Sequence, residues 1–177
     1  MAATRTVGWD EIEALAATLA AVAQACAPPG GYDRVVAVAR GGLVPAALLA
    51  GRLDVARVEG VQVRAYAGRQ GGTQAQWVGP PPAVAGPSGE PARTLVVDEL
   101  VEGGATLACV GAALPLAKLA VLLVKGSLCA GSAPAPGAVR VAALEARGVC
   151  RPVLAATCTD AGAWLVFPWT PPAERGG

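Results

Sequence analysis

The chain has 177 residues, 54% of them hydrophobic and 4% aromatic, and its 14 basic and 13 acidic residues leave a net charge of +1. This length and composition fit one globular domain with a sizeable core and exclude a disordered chain. Balanced charge without long runs of one sign gives no support for a nucleic-acid partner. The sequence has no histidine, which excludes histidine-dependent nucleophile triads and histidine-containing zinc sites.

Cysteine spacing and hydropathy bear on the cellular compartment. The five cysteines are scattered and never spaced as C-x-x-C: Cys26, Cys109, Cys129, Cys150 and Cys158. This spacing predicts reduced thiols rather than a disulfide framework. The start of the chain does not resemble a secretory signal, and the apolar stretches 43–50 and 119–124 are too short to span a bilayer. We therefore expect a cytoplasmic protein with no membrane partner.

The first predicted element is a helix that opens at Trp9. Asp10 and Glu13 fit a capping box, and apolar residues recur from Ile12 at helical spacing. The sequence Ala-Pro-Pro-Gly-Gly at 27–31 ends the helix.

The following pattern alternates between strands and helices. Strands are predicted at 34–39, 58–66, 93–98, 118–124 and 164–167, and helices at 43–53 and 106–114. This order predicts an α/β fold in which helices flank a mainly parallel sheet, within a single domain over residues 1–177.

Two segments lack periodicity. Residues 67–91 are rich in Gly, Pro and Gln, which predicts a long loop, and such loops inside compact domains are typically lids or disordered inserts. Residues 126–137 are rich in Gly, Ala and Pro and are predicted to be irregular.

Three predicted strands end on unusual sequences. Ligands of open parallel sheets bind at the carboxyl ends of the strands, so these ends are expected to meet. One strand ends on Arg40-Gly41-Gly42, a second on the segment from Asp98 to Thr106, and a third on Lys125. The convergence predicts one site at this edge of the sheet.

The segment from Thr94 to Thr106 carries the strongest signal. Successive amides of Glu102 to Thr106 at the mouth of a helix would form an anion cradle, with a hydroxyl donor from Thr106. Gly103 and Gly104 permit a tight turn and close phosphate approach. The carboxylates of Asp98 and Glu99 are expected at an exposed strand end, where they suit sugar hydroxyls, a Mg²⁺-associated ligand or a developing positive charge.

This segment resembles the phosphoribosyl-pyrophosphate motif of type I phosphoribosyltransferases. The resemblance runs from Trp9-Asp10 to Trp169 and is greatest to the xanthine-guanine and related 6-oxopurine enzymes. Residues 38–45, Val-Ala-Arg-Gly-Gly-Leu-Val-Pro, are similar to the pyrophosphate loop of that group, and the catalytic loop begins near Ala65-Tyr66. The resemblance implies a type I fold with a small hood, 67–91 as the flexible catalytic loop, and 126–177 as the hood and base-recognition region with the tail.

The resemblance also implies how phosphoribosyl pyrophosphate is bound. Asp98 and Glu99 would hold the ribose hydroxyls, and Arg40 with the amides of Gly41 and Gly42 would bind pyrophosphate near a cis Ala39–Arg40 peptide. The 5′-phosphate would lie on the turn formed by Glu102, Gly103, Gly104, Ala105 and Thr106.

For the purine, the resemblance implies that Lys125 donates to the 6-oxo group. Trp164 would stack on the ring, the Leu165 backbone would contact its edge, and Glu102 would accept or orient the N7 proton. Catalysis would fall to Glu102, Asp98 and Glu99, and the cofactor Mg²⁺ would arrive with the substrate rather than in a protein cage.

The implied activity is transfer of the phosphoribosyl group to guanine, xanthine or hypoxanthine in purine salvage, with release of pyrophosphate, by a glycosyltransferase that forms homo-oligomers. Three residues depart from the family pattern: Glu102 replaces Asp, Gly103 replaces Thr, and Ala105 replaces Gly. They leave open a non-catalytic regulator that binds phosphoribosyl pyrophosphate or a nucleotide. A dinucleotide-binding protein ranks below both because no G-x-G-x-x-G follows the first strand.

Overall fold

The computed structural model describes residues 4–67, 70–126, 136–159 and 162–174. Nine strands lie at β1 Thr4–Thr6, β2 Arg34–Ala39, β3 Val58–Ala67, β4 Gln70–Trp77, β5 Thr94–Val101, β6 Lys118–Lys125, β7 Gly137–Val139, β8 Val153–Thr159 and β9 Trp164–Val166. Four α-helices lie at α1 Trp9–Ala25, α2 Leu43–Arg52, α3 Ala105–Ala113 and α4 Ala142–Glu145, and short 3-10 turns at Pro91–Arg93 and Pro172–Glu174.

The central sheet has seven strands in the order β4-β3-β2-β5-β6-β8-β7. The five inner strands are parallel, while β4 and β7 run antiparallel at the two edges. A second, two-stranded parallel sheet joins β1 to β9, with Thr4 opposite Trp164. The predicted α/β architecture with a mainly parallel sheet is therefore confirmed.

Strand β6 lies at the centre of the core. Its residues from Leu119 to Val124 are all fully buried, since both faces of the strand are covered. One core cluster packs α1 and α2 against one face of the sheet, and a second cluster packs α3 and α4 against the other. This double cover fixes the strand ends that carry the polar residues.

Helix α1 corrects one local prediction. Its N-cap is Gly8, and no side chain caps the helix, so the capping box of Asp10 and Glu13 is wrong. Asp10 lies inside the first turn with Glu11, where the helix dipole favours acidic residues. The predicted apolar face is confirmed at Ile12, Leu15 and Leu19.

The segment 67–91 differs from its prediction as one long loop. Residues 70–77 form β4, which pairs with β3 in an antiparallel hairpin. The continuation is held near the amino end of β2, because Arg34 donates to the carbonyls of Ala83 and Val84 at 2.9 and 3.2 Å. Asp33 also accepts from the amide of Ser88 at 3.0 Å. This part of the segment therefore lies at the end of the sheet opposite the predicted site.

Two further findings concern the thiols and the helices. Cys158 is disulfide-bonded, so the prediction that every cysteine is reduced is wrong at this residue. Cys26, Cys109 and Cys150 are free. Within the described ranges, no helix has the length and apolar character needed to cross a bilayer.

Candidate active site

A cleft of about 840 Å³ opens at the carboxyl edge of the parallel strands. Its walls come from the ends of β2, β3, β5 and β6 and from the chain around β9. Nine of the predicted site residues line it: Arg40, Gly41, Asp98, Glu99, Glu102, Thr106, Lys125, Trp164 and Leu165. The structure thus brings residues separated by more than a hundred positions in the chain into one cavity.

The predicted phosphate turn forms a smaller pocket beside this cleft, lined by Glu102 to Leu107. Gly104 is the N-cap of α3 and has φ +72°, a conformation that favours glycine. The first bond of α3 runs from the Ala108 amide to the Gly104 carbonyl at 2.9 Å, so the helix does not use the preceding amides. These amides can serve an anion.

Two departures from the family pattern fit this turn. Ala105 is the first residue of α3, and it is not among the described residues with positive φ, so a β-carbon is tolerated there. A β-carbon at Gly103 would meet nothing within 4 Å, which leaves open space where the family has threonine.

The acidic pair is more enclosed than its prediction at an exposed strand end. Asp98 is 8% exposed and accepts a hydrogen bond from the Glu99 amide at 2.9 Å. Burial, followed by the nearby charge of Glu99, holds the pKa of Asp98 well above its ordinary value. Burial also raises the pKa of Glu99, whose Oε2 atom is buried without a hydrogen-bond partner among the described residues. Both carboxyls therefore favour a ligand that supplies hydroxyl donors or positive charge.

The predicted pyrophosphate loop packs directly against the acidic pair. The Ala39–Arg40 peptide is cis, as expected from the resemblance. A β-carbon on Gly41 would lie 1.5 Å from Glu99 Oε2, so the absence of a side chain at Gly41 is what admits the Glu99 carboxyl.

Gly42 has a packing role besides the one predicted. It does not line the cleft, and its amide already donates to the Val38 carbonyl at 2.8 Å. A β-carbon there would approach the Val97 carbonyl oxygen to 2.4 Å. Gly42 therefore permits close backbone packing, and the role of its amide in binding pyrophosphate stays a prediction.

Lys125 ends β6 inside the cleft and is 6% exposed. Its Nζ forms an ion pair with Glu102 Oε1, which joins the predicted base-binding and phosphate-binding segments. Because Lys125 is nearly enclosed, this partner offsets the desolvation of its charge.

Aromatic residues form the wall opposite the acidic pair. Trp164 and Leu165 of β9 line the cleft together with Phe167 and Trp169. Phe167 and Trp169 stack with ring centroids 5.2 Å apart, and Trp9 of α1 lies 6.0 Å from Trp169 at a tilted angle. The wall offers apolar faces to a planar ligand.

Sequence reasoning missed several cleft residues on β3. Gln62 and Arg64 line the cavity beside Arg40, because the register places Gln62 opposite Ala39 on the neighbouring parallel strand. A polar residue at the carboxyl end of a predicted strand next to the pyrophosphate loop was the available signal. Arg147 donates to the Gly103 carbonyl of the predicted phosphate turn. It lies in a segment without a recognisable motif, so the sequence did not predict this contact.

The chemistry of the acidic pair also bears on a metal. Among the residues that the structure describes, no group of three or more His, Cys, Asp or Glu side chains could hold an ion by itself. The unpartnered oxygen of Glu99 beside Asp98 fits Mg²⁺ that is shared with substrate phosphates, since Mg²⁺ is usually held by one or two carboxylates plus such phosphates.

Comparison with known proteins shows which proteins the chain resembles. The model of the phosphoribosyl transferase domain matches residues 8–125. A xanthine-guanine phosphoribosyltransferase of Gluconobacter oxydans is 39% identical over 120 residues, which are 68% of each chain. A purine phosphoribosyltransferase of Pyrococcus horikoshii has a TM-score of 0.63 at 21% identity, covering 95% of both chains. A hypothetical protein of Neisseria gonorrhoeae, solved with bound ppGpp, has a TM-score of 0.65 at 20% identity, covering 98% of this chain and 93% of that one.

Proposed function

The chain belongs to the phosphoribosyltransferase family, and on this premise we propose that it transfers the 5-phosphoribosyl group from phosphoribosyl pyrophosphate to a 6-oxopurine. It is a glycosyltransferase of purine salvage. The observation that carries the proposal is the single cleft in which a phosphate turn, a buried acidic pair, an arginine-glycine loop and an aromatic wall meet. The base is guanine, xanthine or hypoxanthine.

The acidic pair acts on the ribose. The ribose hydroxyl groups donate hydrogen bonds to the carboxylates of Asp98 and Glu99. One of these hydroxyls supplies the hydrogen-bond partner that Glu99 Oε2 lacks among the described residues. As the bond from C1 to pyrophosphate breaks, positive charge develops on the sugar, and fixed carboxylates within the enclosed cleft stabilise it. The raised pKa values indicate that both carboxylates gain from such a cation.

The leaving pyrophosphate takes the electron pair of the broken bond. Arg40 and the Gly41 amide receive its negative charge at the end of β2. Asp98 and Glu99 would hold Mg²⁺ together with the substrate phosphates, and the ion would supply neutralisation of phosphate charge. Arg64 lies on the adjacent strand and adds a second guanidinium to the same wall.

The purine lies against Trp164, within reach of the paired side chains of Lys125 and Glu102. Lys125 donates to the 6-oxo group, while the backbone of Leu165 contacts the edge of the ring. As a ring nitrogen bonds to C1, the purine loses its N7 proton toward the Glu102 carboxylate. Before the base arrives, Lys125 and Glu102 pair with each other.

The β3–β4 hairpin excludes water from the cleft, because Gln62 to Ala65 of β3 line it. The later residues 83–88 do not serve this role, since Arg34 and Asp33 bind them near the amino end of β2. Water would otherwise compete with the purine as the nucleophile. The proposed lid therefore shares with the predicted catalytic loop 67–91 mainly the strand β4, at residues 70–77.

The test is an assay with phosphoribosyl pyrophosphate, Mg²⁺ and one base at a time. We expect nucleoside monophosphate from guanine, xanthine or hypoxanthine and much slower reaction with adenine, which carries an amino group at the 6 position. Equal rates with adenine would contradict the role of Lys125. Tight binding of phosphoribosyl pyrophosphate without turnover of any base would favour the regulator instead.

A matched pair of variants locates the base contact. Lys125→Met removes the proposed donor to the 6-oxo group, and Lys118→Met removes the same charge from the exposed opposite end of β6. We expect the first to lower kcat/KM for guanine by about tenfold to a hundredfold, in line with loss of a charged hydrogen bond, and the second to leave it unchanged.

A cytoplasmic location and a homo-oligomeric assembly complete the proposal. Phosphoribosyl pyrophosphate is an intracellular substrate, which supports the compartment. Light scattering of the purified chain measures the assembly, and a monomer at assay concentration would contradict that part of the proposal.

A further inference from the structure

The phosphate turn is contacted on its outer side by an arginine from the hood. Arg147 follows α4 in the chain, and its Nε donates to the Gly103 carbonyl at 3.3 Å. The side chain is exposed and does not line the phosphate pocket. The contact joins two segments that are 44 residues apart.

The peptide between Gly103 and Gly104 links this contact to the pocket. In a trans peptide the C=O and the following N–H point in opposite directions. A guanidinium that holds the Gly103 carbonyl on the outer side therefore directs the Gly104 N–H inward, toward the pocket that both glycines line. A hydrogen bond to a charged donor also polarises the peptide, which strengthens its N–H as a donor.

A phosphate bound at the turn would be stabilised by the positive charge of Arg147. A phosphate monoester carries about two negative charges at neutral pH. The turn itself carries the Glu102 carboxylate, which Lys125 pairs, and its hydroxyl comes from Thr106. Open space stands at Gly103, so no side-chain donor is available at that position. Arg147 adds positive charge at the backbone of the turn.

We propose that Arg147 is a positioning residue for the 5′-phosphate, which orients the Gly103–Gly104 peptide and offsets the missing hydroxyl at Gly103. The inference rests on the proposed function, since it assigns the anion in this pocket to the 5′-phosphate of the substrate and product. It also gives a role to the hood segment that carries Arg147.

The first experiment compares Arg147→Ala with Arg140→Ala. Arg140 is another exposed arginine of the hood, and it pairs with Glu145 instead of the turn, so the two variants lose equal charge. Calorimetry with GMP is expected to show Kd raised about three- to tenfold in Arg147→Ala, the scale of a typical net hydrogen bond, and unchanged in Arg140→Ala. Arg147→Lys is expected to retain part of the affinity because it keeps the charge.

Steady-state kinetics separate positioning from a general structural role. Arg147→Ala is expected to raise KM for phosphoribosyl pyrophosphate while KM for guanine stays the same. Equal increases in both, or a GMP affinity equal to that of the parent chain, would overturn the inference. Failure of the parent chain itself to bind GMP would instead overturn the proposed function.

A double-mutant cycle tests the link to the missing hydroxyl. Gly103→Thr places a hydroxyl in the open space at this position. We expect Arg147→Ala to cost less GMP affinity in the Gly103→Thr background than in the parent chain, because the hydroxyl then takes over part of the phosphate contact. Equal costs in the two backgrounds would contradict the compensation.

Discussion

Asp98 combines burial with a like-charged neighbour, and both raise its pKa in the folded protein. An acid whose folded pKa is raised stabilises the fold fully below its ordinary value near 3.8, and this contribution is lost as the pH rises through the raised value. Above its raised pKa, ionisation of Asp98 therefore lowers stability in the absence of a ligand. Such a cost is expected where a site is built for a developing cation.

Neutralising the pair tests this account. Asp98→Asn keeps an oxygen that can accept from the Glu99 amide but removes the charge. We expect its Tm to exceed that of the parent chain at pH 8, with the gain disappearing near pH 4, as measured by thermal unfolding at both pH values. A Tm below that of the parent chain at pH 8 would contradict the sign of the pKa shift.

Under the proposed function the same two carboxylates stabilise the transition state, so stability and activity should move in opposite directions. The double variant Asp98→Asn with Glu99→Gln is expected to lower kcat by about a hundredfold or more, the scale of losing electrostatic stabilisation of a transition state. The initial rate of nucleotide formation measures this loss. Retained activity would show that the acidic pair lies outside the reaction.

The two glycines after Arg40 give a second prediction at this scale. In Gly41→Ala the new β-carbon meets the Glu99 carboxyl, which can rotate away, so activity should fall more than stability. In Gly42→Ala the new β-carbon meets the backbone carbonyls of Val97 and Val38, and these cannot rotate away. The free energy of unfolding should therefore drop by about 1–3 kcal/mol. Denaturant unfolding measures the stability of both variants, and turnover assays measure their activity. The opposite ranking would contradict the assigned packing.

At the scale of elements, Arg34 determines where the chain after β4 lies. The residue is fully buried, donates twice to Thr94, and reaches Glu59 at 3.7 Å. Its bonds to Ala83 and Val84 use carbonyls of an otherwise irregular segment. The anchor holds this segment near the amino end of β2, away from the cleft.

Removal of this anchor should affect stability without affecting chemistry. Arg34→Ala leaves the buried Thr94 hydroxyl and the part-buried carbonyls of Ala83 and Val84 without their donor, and is expected to cost about 2–5 kcal/mol of unfolding free energy, with KM for both substrates unchanged. Arg57→Ala is the control, because that exposed residue pairs with the same Glu59. A large rise in KM for phosphoribosyl pyrophosphate in Arg34→Ala would show that residues 78–93 contribute to the site.

The sequence predicted those elements whose own residues carry the pattern. The run of β-branched residues in β2 and the acids and glycines after β5 identified both strands and the polar residues that line the cleft at their ends. Strand β8 escaped prediction because its four buried residues include two alanines, which have weak strand propensity. The role of Gly42 could not be predicted, since its amide is satisfied by Val38 in the folded turn. The contact of Arg147 with the Gly103 carbonyl could not be predicted, because the two residues are 44 positions apart in the chain.

At the scale of the whole molecule, the parallel order of β2, β5 and β6 turns three separate sequence segments into one site. The register places their carboxyl ends at the same edge, and the sheet formed by β1 and β9 brings the aromatic wall over it. Both faces of β6 are buried, so the strand ends are held by the core. The cleft is a consequence of topology, and the chemistry follows from which residues end each strand.

The most direct test of the central claim is the stoichiometry of the reaction. Guanine, phosphoribosyl pyrophosphate and Mg²⁺ are incubated with the chain, and GMP and pyrophosphate are quantified together. The account predicts one pyrophosphate for each GMP, with little pyrophosphate released when the base is omitted. Pyrophosphate release that does not depend on a purine base, or no GMP at any enzyme concentration, would contradict it.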